Sequence, residues 1–456
     1  MHQKNVPETA LFNNSSTPKP TSIWGITGIV FVFLLLAACK SPGVKLIIRT
    51  VHTQTDSCAS HPGHHYEISI PVIEGQPSAR LPLMILLDSH GDGRYALRHF
   101  SKALTRYPMI VAGSDLIRND FQGFSRAIEE LITDIRQKYP VTPTIWIAGF
   151  SGGARMALDY ALAHPVDGLI LSGALATPAQ LGQLQCPVIA ISGTNDFNFP
   201  ETAQYLLMSH KPGNLKIILT HASHDWPAPS VLTEGTALLA FENSPLKYST
   251  AQFDDFESAE KRQIDSLITG GEYLKAALTA SNLTPSASYK PSGEFLQRYQ
   301  QLVNSAKFHQ QQTKLLQTLR TGQQAKQRYY QALLKKDTLW WKNESGQLSR
   351  NEKDAVDPLE KSLYQRIRGF WGIACFSISR QAVQTHNARL LEQITPVYRL
   401  LEPDNPDAYF YSAYLPYWAN DSQQTVKLLK TAQRKGFTDL RRLKHFPPSI
   451  LQQLDN

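Results

Sequence analysis

The stretch 144–156 reads TIWIAGFSGGARM, an apolar β-type run, then Gly149-Phe150-Ser151-Gly152-Gly153, then a run with helical character. Few folds accommodate a serine on so sharp a turn between a strand and a helix. The backbone there is strained, and bulk beside it would strike the adjoining strand or helix, so small neighbours are needed. Glycines at 149, 152 and 153 meet that need. The turn predicts Ser151 Oγ raised above the end of a sheet, with the Gly152 N–H at a helix start, where it can stabilise a developing negative charge.

A serine hydroxyl is almost never ionised at neutral pH, so it becomes a nucleophile only beside an imidazole that takes its proton. A buried carboxylate must then hold that imidazole. The chain supplies both in order. Residues 188–192 form a short apolar strand followed by Gly193-Thr194-Asn195-Asp196, which makes Asp196 the expected acid. Residues 216–219 form the next strand, and Thr220-His221-Ala222-Ser223-His224-Asp225-Trp226-Pro227 follows it. His224 is the expected base, and His221, nearer the strand end, is expected to be structural. Asp225 is an alternative acid by adjacency, but a residue next to the histidine in sequence seldom points at its ring. Asp88 and Asp92 rank lower still. The loop after the 83–87 strand reads Asp88-Ser89-His90-Gly91-Asp92-Gly93-Arg94, and there the Asp92 backbone N–H is expected to be the second oxyanion donor beside Gly152.

Taken together, HGDGR, AGFSGGARM, GTNDFN and SHDWP resemble the α/β-hydrolase superfamily, and within it esterases related to polyhydroxybutyrate depolymerase, feruloyl esterase and dienelactone hydrolase. Dienelactone hydrolases usually carry cysteine where this chain has Ser151. The resemblance implies a serine hydrolase acting on small-molecule or polymeric carboxylic esters through an acyl-enzyme, with no cofactor. A peptidase of the prolyl-oligopeptidase type is an alternative, although no propeller repeat is visible. A second alternative is an interaction lipoprotein whose hydrolase region is silent.

The fold expectation is an α/β class: a mostly parallel sheet covered by helices, followed by an all-α region. Apolar runs at 44–51, 66–72, 83–87, 109–112, 144–148, 169–172, 188–192 and 216–219 alternate, from the third onward, mostly with helical stretches at 124–138 and 154–163 among others. Between the serine turn and Asp196 there is too little chain for a large lid, so the site is either open or covered by another domain. From about Ser249 glycine thins and β-type runs vanish. The expected division is 1–38 leader, 39–43 tether, 44–245 catalytic domain and 246–456 helical domain. Glu402-Pro403-Asp404-Asn405-Pro406-Asp407-Ala408-Tyr409 and the helix around Leu428-Leu429 resemble a tetratricopeptide repeat. Tyr409, Ala413, Leu429 and Ala432 match its packing positions, whereas Ser412 and Pro416 depart, and no second copy follows at the period of about 34 residues. Such a region is a candidate surface for a protein partner. Trp340, Trp341, Phe370 and Trp371 are expected to be core rather than groove.

Residues 23–38 are mostly apolar and end Leu36-Ala37-Ala38-Cys39, which resembles a bacterial lipobox. The run is shorter than the roughly 20 residues a spanning helix prefers, so a cleaved leader with a lipid on Cys39 is expected. Lys40 leans toward sorting to the outer membrane. A formal charge of +8 over 456 residues is modest, and without a basic stripe it argues against nucleic acid. With Cys39 lipidated, three cysteines remain, and Cys58 with Cys186 is the conceivable disulfide. Cys58, His61, His64 and His65 form a cluster of soft ligands, but a solvated loop is the better reading, and no metal is expected.

Overall fold

The computed structural model describes residues 46–76, 78–208, 211–243, 248, 250–283, 291–333 and 335–454. The expected leader, Cys39 and the tether lie outside the described residues. Among the described residues no helix is long and apolar enough to cross a membrane.

Among the described residues eight strands make one sheet: β1 (Ile48–Cys58), β2 (His61–Ile73), β3 (Leu81–Leu87), β4 (Ile110–Ser114), β5 (Val141–Phe150), β6 (Gly168–Ser172), β7 (Val188–Gly193) and β8 (Leu215–Thr220). Their spatial order is β1-β2-β4-β3-β5-β6-β7-β8. Only β2 runs against its neighbours, and every other pair is parallel. All residues of β3, β4, β6 and β7 are buried, as expected of parallel strands covered on both faces. This is the α/β-hydrolase arrangement, and seven of the expected apolar runs fall on or within a residue of its strands, while the first, 44–51, meets β1 only from Ile48. The order turns back on itself around β3, which pairs with both β4 and β5, so loops leaving the carboxyl ends of β3 and β5 diverge and open a crevice.

Helices α1 (Gly93–His99), α2 (Ser101–Leu104), α3 (Phe124–Lys138), α4 (Gly152–Ala163), α5 (Pro178–Leu181), α6 (Phe199–Leu206) and α7 (Pro229–Asn243) connect and cover the strands. In α3 the expected apolar stripe is buried at Ile128, Leu131, Ile132 and Ile135. The histidine-rich stretch around Cys58 differs from expectation: instead of a solvated loop it extends β1 and β2 into a long hairpin. Asp134 of α3 explains the extension, because its carboxylate accepts the Ala59 N–H (2.8 Å) and the Tyr66 hydroxyl (2.7 Å). His64 is buried, with Nε2 2.9 Å from Ser114 Oγ, and burial pushes its pKa down to about 4. Cys58, Cys186 and Cys375 are all buried free thiols. The conceivable Cys58–Cys186 bridge is not formed: Cys58 ends β1 at one edge of the sheet, and Cys186 precedes β7 near the other.

Further helices follow: α8 (Thr250–Thr269), α9 (Tyr273–Asn282), α10 (Glu294–Val303), α11 (Ala306–Ala332), α12 (Thr338–Asp354), α13 (Pro358–Gln384), α14 (Ala388–Leu401), α15 (Pro406–Ser412), α16 (Tyr414–Trp418), α17 (Ser422–Arg434), α18 (Leu440–Leu443) and α19 (Pro448–Leu451). The apolar core of the sheet continues through Ile264, Leu274, Phe295 and Leu315. A second core begins at Tyr329 and holds Trp341, Trp371, Tyr398, Phe410 and Leu429. Trp341 and Trp371 pack edge to face with ring centroids 4.5 Å apart, whereas Trp340 and Phe370 are only partly buried.

Candidate active site

The turn between β5 and α4 is as tight as its glycines require. A Cβ on Gly149 would collide with the Gly153 backbone, and one on Gly153 with the Leu87 carbonyl of β3. Ser151, between them, takes φ 53° and ψ −116°. A side chain rarely adopts a positive φ, and the conformation costs on the order of 1–3 kcal/mol. The Ser151 N–H donates to Ser172 O of β6 (2.8 Å), so the sheet itself fixes the turn.

Three loops at the carboxyl ends of β5, β7 and β8 bring Ser151, Asp196 and His224 into one row. Ser151 Oγ lies 2.8 Å from His224 Nε2, and His224 Nδ1 lies 2.9 and 2.8 Å from the two oxygens of Asp196. With the Nδ1 proton directed at the carboxylate, Nε2 is left to accept the serine proton. Asp196 is 2% exposed and its Oδ1 also accepts the Asn198 N–H (2.8 Å). The imidazole is held between Phe150 and Phe197, with centroids 4.8 and 4.2 Å away. His221 stands apart, its Nε2 3.0 Å from Glu272. Asp225 accepts the Trp226 N–H and the Tyr95 hydroxyl instead of facing the imidazole.

The loop after β3 departs from expectation. The Asp92 N–H is turned toward Asp88 Oδ2 (3.4 Å), and the Asp92 side chain caps α1 by accepting the Tyr95 N–H (2.8 Å). The amide expected as the second oxyanion donor thus faces Asp88 across a long contact in the wrap of this loop. Asp88 is the residue that sequence reasoning undervalued. It is buried, accepts the His90 N–H (2.7 Å), and accepts Trp226 Nε1–H (2.8 Å) from the histidine loop. Burial raises its pKa, but the bonds from His90 and Trp226 outweigh burial and hold it below the usual carboxylate range. Asp88 thus ties the β3 loop to the loop carrying His224. The signal was the tryptophan of HDWP, whose indole N–H needs an acceptor once buried.

Gly152 is the first residue of α4, so no helical carbonyl precedes it to accept its N–H. Asn119, from the loop after β4, presses its carboxamide against Gly152: a Cβ there would collide with Oδ1 and lie 3.2 Å from Nδ2. The Asn119 N–H donates to Ser89 O (2.9 Å), which joins this loop to the one after β3. A cavity of about 310 Å³ between α6, α11 and α13, lined by Leu207, Leu319, Lys326 and Arg366 among others, includes none of Ser151, Asp196 and His224.

No protein-family model and no curated protein matches the chain. Among solved structures it is similar to Est1E from Butyrivibrio proteoclasticus, at 15% identity and a TM-score of 0.32, over 40% of this chain and 94% of that one. It is similar also to dienelactone hydrolase from Anabaena variabilis, at 15% identity and a TM-score of 0.32, over 43% of this chain and 99% of that one. A third similar structure is an α/β serine hydrolase from Xanthomonas campestris described as having no lid, at 17% identity and a TM-score of 0.33, over 44% of this chain and 99% of that one.

Proposed function

We propose that the protein is a serine hydrolase cleaving carboxylic esters, held at the bacterial cell envelope by a lipid on Cys39. The observation that carries the catalytic reading is the unbroken hydrogen-bonded row from Ser151 Oγ through the His224 ring to Asp196, on a serine of strained backbone. Ser151 Oγ attacks the acyl carbon while His224 Nε2 takes its proton. Asp196 holds the tautomer and stabilises the imidazolium. The oxyanion is met by the Gly152 N–H and by an Nδ2–H of Asn119. The imidazolium then protonates the leaving alkoxide, and water, activated by the same imidazole, releases the acid and restores Ser151. Outer-membrane sorting, and a protein partner for the TPR-like helices around Tyr409 and Leu429, belong to the same reading.

The test is fluorophosphonate labelling of the full chain in detergent, followed by turnover of p-nitrophenyl esters. Wild type should label and turn over, Ser151→Ala and His224→Ala should lose both, and Asn119→Ala should retain labelling while losing about 10- to 100-fold in kcat. A well-folded wild type that neither labels nor turns over would overturn the reading. Metabolic labelling with a palmitate analogue tests the anchor, and loss of label in Cys39→Ser is the expected result.

A further inference from the structure

Helix α13 (Pro358–Gln384) touches loops on both sides of the catalytic row. At 3.6 residues per turn, Ser362, Arg366, Gly369, Ile373, Ser377 and Arg380 fall on one stripe of this helix. Three of them are bonded to loops of the sheet, and Gly369 lies against one. Ser362 Oγ donates to Asn195 Oδ1 (2.7 Å) and Arg366 Nη1 to Thr194 O (2.7 Å), both in the loop that carries Asp196. A Cβ on Gly369 would sit 3.4 Å from the ring of Phe197, the residue that packs on His224. Arg380 pairs with Asp120, next to the Asn119 that lies against Gly152. The helix therefore passes from the histidine side of the row to the nucleophile side within eleven residues, about 16 Å.

Between those anchors Ile373 and Ser377 remain exposed, Ile373 by 40%. The other side of α13 carries its own core through Ile367, Trp371, Cys375 and Ala382. An isoleucine is thus left open on the stripe of α13 that is fastened to the loops carrying Asp196 and Asn119. The only charged neighbour on that part of the stripe, Arg380, is neutralised by Asp120. With Phe197 against Gly369, one helical turn before Ile373, the stripe suits an uncharged, apolar chain.

We propose that α13 is the wall of the substrate cleft facing Ser151, and that Ile373 sets specificity by packing on the unbranched acyl chain of an uncharged ester. This rests on Ser151 being the nucleophile. The helical region then supplies what the short connection between β6 and β7 leaves out, a cover for the site.

The experiment compares wild type, Ile373→Ala, Ile373→Trp and Ile373→Glu in the full chain. It measures kcat/KM for p-nitrophenyl acetate, butyrate and octanoate, and labelling rates with fluorophosphonates bearing a short or a long alkyl chain. Ile373→Trp and Ile373→Glu should lower the octanoate-to-acetate ratio by about ten-fold or more, and the labelling ratio should move in parallel. Ile373→Ala removes the contact with the chain and should lower the same ratio by a smaller factor, about three-fold. Ratios unchanged within about two-fold in all three variants, with wild type active, would overturn the wall and leave the esterase reading standing. Labelling that responds to Ile373 in a protein turning over no ester would sink the ester reading and keep the wall. A folded wild type that never labels would overturn both.

Discussion

At the residue scale, the local cost of the site is concentrated in Ser151. Its φ of 53° is one that glycine adopts freely, whereas alanine keeps the Cβ penalty. Ser151→Gly should therefore be more stable than Ser151→Ala by about 1 kcal/mol or more, read from paired denaturant melts. Equal stability would mean that the turn relaxes once the hydroxyl is gone. Ser151, Asp196 and His224 were legible because each follows an apolar run directly, so a linear reading places all three at one edge of a sheet. Asp88 was not legible. Its role depends on Trp226, 138 positions away, and no local pattern reveals that a carboxylate will be buried against an indole. The direction of the Asp92 amide was hidden for the same reason, since the wrap around Asp88 decides where it points.

At the element scale, the strands of the parallel sheet were readable from continuous apolar runs, while the β1–β2 hairpin was not. Its far end is polar and rich in histidine, and it becomes strand only because Asp134 reaches it from α3. A similar long-range meeting joins α7 to α8. Burial raises the pKa of Glu234 to about 7, and burial together with the charge of Glu234 raises that of Glu260 well above the usual range. Both carboxyls are thus protonated in the folded chain at pH values where the unfolded chain ionises them. Their contribution is intact below about pH 4.5 and is lost as the pH rises through about 7, because only the unfolded chain releases protons in that window. Glu260→Gln removes the penalty. Its melting temperature should match wild type near pH 4 and exceed it by a margin that widens from about pH 5 to 8. A margin independent of pH would show that the two carboxyls ionise freely in the fold.

At the scale of the whole molecule, the sheet shares its core with α8 to α11 while the later helices build a second one, and the described residues belong to one compact unit. Strand β8 is the edge of the sheet, and its exposed backbone is covered from α9. Asn282 accepts the Ile217 N–H (2.9 Å) and donates to Ile217 O (2.8 Å), while Lys216 Nζ donates to Asn282 O and pairs with Glu242 (2.9 Å). Leaving such buried groups without partners costs about 1–3 kcal/mol each, and an uncovered parallel edge invites aggregation. Composition could not reveal this, because the change of character near Ser249 marks where strands end and not where the core ends. A chain cut after residue 243 should therefore precipitate or melt without cooperativity. One cut after residue 332 keeps α8 to α11 and should melt cooperatively. It loses the bonds from Ser362 and Arg366 to Asn195 and Thr194, so the loop holding Asp196 is freed and fluorophosphonate labelling of Ser151 should slow by about ten-fold or more. Circular dichroism melts and labelling rates on the two truncated chains separate the roles. A cooperative melt after the first cut would show that the sheet stands without α9, and undiminished labelling after the second would show that α13 only covers the site and does not help to hold it.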